Sequence, residues 1–322
     1  LDTTVDAVGN VVIRKPATAG LEKRTPVILQ AHLDMVHQKN SATTFDFATQ
    51  GIEMELRGDD WVAAKGTTLG ADNGIGVAAI MAVLASTDIP HPPLEALFTI
   101  DEETGMTGAK GLAGGLLRGQ VLLNLDTEED DELTIGCAGG VDVTATGTYS
   151  TTPIAAPSRQ LRIMVRGLKG GHSGMDIHLG RGNANQIMAR LLWQATEPFD
   201  LQLLQFDGGS LRNAIPREAT AVVALPAAKA TAAQQWFEQE VGAIALEYQA
   251  TDPDLVVDFQ WLDEPATADQ TTNGLSTSFQ RQFLGALYAC PNGVARMSPK
   301  MAGLVETSNN LARVIVGGGE WK

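Results

Sequence analysis

The stretch VILQAHLD (residues 27–34) decides the N-terminal half: a nearly unbroken apolar run, 27–31, passes straight into His32 and Asp34. Two further stretches behave the same way. LEALFTI (94–100) runs into Asp101, Glu102 and Glu103, and VLLNL (121–125) runs into Asp126. Nearly continuous apolar runs of this length are what strands buried on both faces of a parallel or mixed sheet look like. Between the first two lies GIGVAAIMAVLAS (74–86), an Ala-rich helix expected to follow Asp72 and Asn73 in a capping position. Strand, helix, strand predicts an α/β domain.

Beyond residue 160 the rhythm changes. Strand candidates at 161–168, 201–207, 218–225 and 255–261 are separated by helix candidates at 183–195 and 231–248, the second with Trp236, Phe237, Val241 and Ile244 at helical spacing. The order β-α-β-β-α-β is that of a ferredoxin-like α+β sandwich. After a polar stretch, 264–274, come a helix candidate (276–289) and a strand candidate (311–316), half of a second such unit. The expected division is therefore 1–155 and 156–322, the latter with one unit at 160–262 and an incomplete one at 275–322. The chain opens with neither Met nor a basic-then-apolar leader and stops after half a unit, so we expect a piece of a longer protein at both ends.

The chain has 322 residues, 44% hydrophobic and 19% charged, an ordinary globular composition of about two domains. Thirty-eight acidic against 23 basic residues give a net charge of −15, which argues against nucleic acid or an anionic membrane as partner. No apolar run approaches the ~20 residues of a membrane helix. Two cysteines, Cys137 and Cys290, make no disulfide framework and fit a reducing, cytoplasmic compartment.

The chemistry sits where the strands stop. His32, Glu102, Glu103 and Asp126 all follow the carboxyl ends of strands, the edge at which open α/β sheets bind ligands. Asp72, at the entry to the helix, is a further carboxylate for the same edge. Two carboxylates ~4 Å apart repel by about 4 kcal/mol at an effective dielectric of ~20, and divalent metal is one ordinary remedy. In His32-x-Asp34 the two side chains point the same way on an extended segment, so Asp34 can orient the imidazole. Adjacent glutamates cannot both face one metal from a regular strand; Glu103 is expected to bind and Glu102 to handle the proton of the attacking water. Taken singly, each piece has a plainer explanation: a surface histidine, a solvated turn, a helix N-cap. GIGVAA (74–79) superficially resembles a dinucleotide fingerprint, but Asp72 would put negative charge where a pyrophosphate sits. KGGHSGMDIH (169–178) is a Gly-rich turn whose histidine can act as an electrostatic donor.

QAHLDMV (30–36), GTTLGADNGIGVA (66–78), DEETGMTGAKGL (101–112), NLDTEE (124–129), GCAGG (136–140), GLKGGHSGMDIH (167–178), GGSLRNAIPREA (208–219) and ETSNN (306–310) occur in this order. Together they resemble the aminoacyl-histidine (Xaa-His) dipeptidases, also called peptidase D, of the dizinc aminoacylase/carboxypeptidase superfamily of metallopeptidases. The resemblance implies a dizinc exopeptidase-like catalytic domain followed by a ferredoxin-like lid. It implies two Zn²⁺ per site, with Mn²⁺ or Co²⁺ as substitutes, a dipeptide substrate, and room for a homodimer. His32 and Asp126 would bind one metal, Asp72 would bridge, Glu103 would bind the second, Glu102 would be the general base and Asp34 would orient His32. The Asp72–Asn73 peptide would be cis. His172 would stabilise the oxyanion and contact substrate, and Asn213 would contact substrate. Other activities of the superfamily (a broad dipeptidase, an aminotripeptidase, an N-acyl amino acid deacylase) share this metal set, and a non-catalytic metal- or peptide-binding module is the rival from another class. The family's downstream histidine ligand, lid arginine and carboxylate-gripping glycine segment have no counterpart here, and His37, His91 and His178 sit in the wrong contexts to replace the first. A polypeptide ending here is expected to have an incomplete second metal site and little activity.

Overall fold

The computed structural model describes residues 1–39, 43–127, 131, 133–134, 136–262 and 273–322. It divides into two compact units, Leu1–Ile135 and Gly136–Lys322.

In the first unit come β1 (Asp2–Val5), β2 (Val11–Lys15), β3 (Val27–His32), the hairpin β4 (Met54–Arg57) and β5 (Trp61–Ala64), α1 (Ala71–Ala85), β6 (Leu94–Thr99), a short α2 (Thr107–Gly111) and β7 (Val121–Asn124). The main sheet runs β1-β2-β6-β3-β7 among the described residues. β3 is parallel to both β6 and β7, while β2 is antiparallel to β6, so the sheet is mixed as expected. Parallel pairing puts the carboxyl ends of β3, β6 and β7 at one edge. Ile80 and Leu84 of α1, one turn apart, pack with Ala31, Ala96 and Phe98 on one face; Val12, Ile28 and Leu97 meet Leu112, Leu116 and Leu117 on the other.

β6 is buried throughout, as its apolar run predicts. β7 is not. Val121, Leu122 and Leu123 remain 44–50% exposed: β7 pairs only with β3 and none of the three joins a core cluster among the described residues, so the expected burial on both faces is corrected here to an uncovered edge strand. β1, β2 and the β4–β5 hairpin are additions to the sequence reading.

The second unit contains β8 (Gly147–Thr148), β9 (Thr151–Pro153), β10 (Ser158–Arg166), α3 (Ala184–Phe199), β11 (Gln202–Gly208), β12 (Ala219–Pro226), α4 (Ala230–Glu247), β13 (Val256–Leu262), β14 (Asn273–Leu275), α5 (Thr277–Ala289), the ribbon β15 (Gly293–Met297) and β16 (Val305–Asn309), β17 (Val314–Gly317) and β18 (Glu320–Trp321). β13-β10-β12-β11, all antiparallel, is the ferredoxin-like order, and the sheet continues through β17, β18 and β8. Alternating Leu161, Ile163 and Val165 on β10 meet Ile187, Met188, Leu191 and Leu192 of α3 and Phe237 and Ile244 of α4 in one core. Asn183 caps α3, its side-chain oxygen accepting from the N–H groups of Asn185 and Gln186.

Two boundaries differ from the sequence reading. β8 pairs with β18 and β9 with β14, so the residues before 155 join the second unit. Phe283 and Leu284 of α5 and Val314 and Val316 of β17 enter the same core as α3 and α4, so 275–322 extends the ferredoxin-like unit instead of starting another. Most of the polar stretch 264–274 lies outside the described residues.

Candidate metal and catalytic centre

The centre is built on loops that leave the carboxyl edge of the first unit's sheet. His32 ends β3 with its side chain buried, 1% of the residue exposed. Its Nε2 lies 3.0 Å from Asp72 Oδ1 and 3.8 Å from Asp126 Oδ1. Its Nδ1 is 2.9 Å from the Asp34 carbonyl oxygen and 3.4 Å from Asp34 Oδ1, so the backbone oxygen is the nearer partner and the carboxylate the second. The Asp34 carboxylate also reaches the loop after β6, where Oδ1 accepts from the Glu102 N–H and Oδ2 from the Glu103 N–H, both at 3.1 Å. One side chain thus ties the turn after β3 to the two glutamates after β6.

Asp72 arrives by a different device. Helix α1 is interrupted at its start: the Asp72–Asn73 peptide is cis, both residues have non-helical torsions, and the Asp72 side chain turns to His32 instead of capping the helix. The helix start is pressed against the segment after β7. A Cβ on Gly76 would lie 2.0 Å from Asn73 Oδ1 and 2.8 Å from the Leu125 carbonyl oxygen, so only glycine lets α1 reach the residue before Asp126. The Glu102–Glu103 turn is braced from below as well. Buried Asn10 donates to the Gly108 carbonyl at 2.9 Å and accepts from the Ile100 N–H at 3.3 Å, and Asp101 accepts from the Thr104 and Thr107 hydroxyls.

Two overlapping sets of ligand atoms each fall within 4.8 Å of one another: His32, Asp72 and Glu103, and His32, Glu102 and Asp126. The electrostatics fit cations. Burial first, then the charges of Asp72 and Glu102, push the Glu103 carboxyl above its usual range. Burial, a hydrogen bond with Asp72 and that residue's charge push Asp126 up to about 6. At His32 burial is the largest influence and disfavours the charged ring, but Asp126, the hydrogen bond to Asp72 and the Asp34 charge together outweigh it and raise its pKa. Carboxylates held this close without a compensating charge retain protons; divalent ions are the alternative, and a His-plus-carboxylate donor set suits Zn²⁺. His37, His91 and His178 join neither set, and His91 Nδ1 instead meets the Pro92 carbonyl oxygen at 2.7 Å.

His172 and Asn213 belong to the second unit, where they are neighbours. His172 bridges Ala214, and the Ser173 N–H donates to the Asn213 carbonyl at 2.7 Å. His172 Nδ1 accepts from the Gly174 and Met175 N–H groups, each at 3.1 Å. A ring nitrogen that accepts twice carries no hydrogen in the neutral imidazole, so the N–H is on Nε2 and points outward as a donor. The loop is closed at its base by Asp252, 1% exposed, whose two oxygens accept from the Lys169 and Gly182 N–H groups, both at 2.8 Å. Sequence reading passed over Asp252, Asn10 and the polar side chains of Gln30 and Asn124. Each is a single polar residue with no spacing signal, recognisable only by its partners.

Known proteins match both units. Residues 163–250 match the family model described as a peptidase dimerisation domain, and residues 10–157 match peptidase family M28. The chain is 46% identical over 311 residues to the cytosol non-specific dipeptidase of Escherichia coli K12, covering 96% of this chain and 62% of that protein. It is also 46% identical to the crystal structure of aminoacylhistidine dipeptidase from Vibrio alginolyticus, with a TM-score of 0.69 over 99% of this chain and 64% of that one. A protein of Bacillus subtilis 168, YqjE, is 24% identical over 224 residues. The chain thus spans a little over three-fifths of the two dipeptidases it matches at 46%. The described helices include none long and apolar enough to cross a membrane.

Proposed function

The chain is a relative, along nearly its whole length, of bacterial dipeptidases, and from that premise we propose that it carries the centre of a two-metal dipeptidase acting on Xaa-His and related dipeptides in the cytoplasm. The observation that supports this most is the convergence of His32, Asp72, Glu103 and Asp126, from four separate stretches, beside Glu102 and Asp34.

On the resemblance, His32, Asp72 and Asp126 would hold one ion and Asp72 and Glu103 the second, all of them among the residues that converge here. Zinc ions bound there supply Lewis acidity toward water and the scissile carbonyl. Glu102 takes the proton of the attacking water and returns it to the leaving amine. Asp34 keeps His32 oriented and holds the Glu102–Glu103 backbone in place through its two accepted hydrogen bonds. His172, with its hydrogen on Nε2, donates to the developing oxyanion, and Asn213 contacts substrate. The match of 163–250 to a dimerisation domain supports a homodimer. The free cysteines and the cytosolic relative support the compartment.

The two dipeptidases matched at 46% are named for different breadth, one non-specific and one for aminoacyl-histidine substrates. A panel of β-alanyl-His, Gly-His, Gly-Leu and an N-acetyl amino acid tests the preference, with the histidine dipeptides expected to turn over fastest. Zinc titration of the chain tests the centre. Uptake of zinc that is unchanged by Asp72→Ala overturns the reading.

A further inference from the structure

A line of side-chain hydrogen bonds crosses the three parallel strands just below the metal-binding edge. Gln30 on β3 donates from Nε2 to Thr99 Oγ1 on β6 at 3.1 Å and accepts at Oε1 from Asn124 Nδ2 on β7 at 2.6 Å. The other amide atom of Asn124, Oδ1, accepts from the backbone N–H of Asp126 at 2.7 Å. Gln30 and Asn124 are also register partners in the β3–β7 ladder, which fixes the distance over which their side chains must meet. Nothing in strand pairing requires the last bond: β7 ends at Asn124, and Asp126 lies beyond the ladder.

We propose that Gln30 and Asn124 are positioning residues for Asp126. Asn124 uses both ends of its amide, one to be held by Gln30 and one to hold the Asp126 backbone, so the direction of the Asp126 carboxylate is set from β3 through β7. Gln30, Asn124, Thr99 and Asp126 also line a cavity of about 210 Å³ that reaches Glu102, so these amides face a space shared with the centre instead of filling a sealed core. Partners that orient ligand residues typically matter 10–100-fold for metal affinity. The proposal rests on Asp126 being a metal ligand, and the experiment separates the two.

The 322-residue chain is titrated with Zn²⁺ alone, in competition with a chromophoric chelator, and its urea midpoint is read in parallel. Asn124→Ala and Gln30→Leu are each expected to weaken binding about 10–100-fold. The double variant is expected to bind as Asn124→Ala does, because Gln30 acts through Asn124. Gln30→Glu keeps the oxygen that accepts from Asn124 and is expected to bind zinc as the wild type does. A packing role alone predicts the opposite order, with Leu at least as good as Glu. Asp126→Asn is the control. If it loses zinc while folded Asn124→Ala does not, the positioning proposal is overturned and the metal centre stands. An additive loss in the double variant overturns it as well. If Asp126→Asn binds zinc as the wild type does, the metal reading fails and the proposal with it.

Discussion

Replacing Asp34 with alanine isolates what one carboxylate contributes to the centre without removing any proposed ligand. The change deletes two hydrogen bonds from backbone N–H groups to a charged acceptor, those of Glu102 and Glu103 at 3.1 Å. Bonds of this kind contribute about 1.5–3 kcal/mol each, so the gross loss is about 3–6 kcal/mol. The Asp34 side chain is 24% exposed, and water entering its place recovers part of that. The remainder loosens the turn carrying both glutamates, while the Asp34 carbonyl oxygen keeps its 2.9 Å contact with His32 Nδ1. A 10–100-fold loss of zinc affinity, about 1.4–2.7 kcal/mol, is what remains of this gross loss after that recovery and is the expected result. Asp34→Asn retains one acceptor oxygen and turns an NH₂ toward the other N–H, so it should fall between alanine and wild type. Chelator competition near neutral pH measures the affinity, and urea unfolding of the metal-free chain reports the fold. Wild-type zinc affinity in folded Asp34→Ala would refute the argument that this carboxylate organises the centre.

Three further outcomes follow from the same geometry. Glu102→Gln is expected to keep zinc and lower whatever dipeptide turnover the unsubstituted chain shows by about 10²–10⁴-fold, read as kcat with metal content measured on the same sample. Gly76→Ala drives a methyl into Asn73 and the Leu125 carbonyl and should cost about 1–3 kcal/mol or more of stability, with a matching drop in the urea midpoint. Asp126 has its pKa raised to about 6 from 3.8, so the metal-free fold binds more protons than the unfolded chain between those values. Its contribution to stability is present below about pH 4 and lost as pH rises through 6. Melting of the metal-free chain across that window should show the decline, Asp126→Asn should flatten it, and zinc should reverse it near neutral pH.

Much of the architecture was legible because burial leaves a periodic trace. The runs at 27–31 and 94–100 and the stripes on α3 and α4 are dictated by what each face touches. β7 misled for the same reason: Val121–Leu123 are as apolar as a central strand, and composition cannot say that only one neighbour is present among the described residues. β1 and β2 escaped notice because strands of four and five residues, DTTV and VVIRK, are too short to carry a periodic signal. At the centre, His32, Asp72, Glu102, Glu103 and Asp126 could be named from their places after strands and before a helix, and the structure brings those five together with Asp34. Their supports could not. Asn10, Gln30, Asn124 and Asp252 each act through a hydrogen bond to at least one residue far away in sequence, and such bonds have no local pattern.

Asp252 also has a meaning for how the His172 loop can change. Both feet of that loop stand on one carboxylate, so its span is set at the base and not by the number of residues between. Doubling the length of a flexible loop costs only about 0.6 kcal/mol of closure entropy. Residues can therefore be added at the exposed 178–180 turn while the anchorage stays put, whereas Gly174, Met175, Asp176 and buried Ile177 keep the His172 side of the loop fixed.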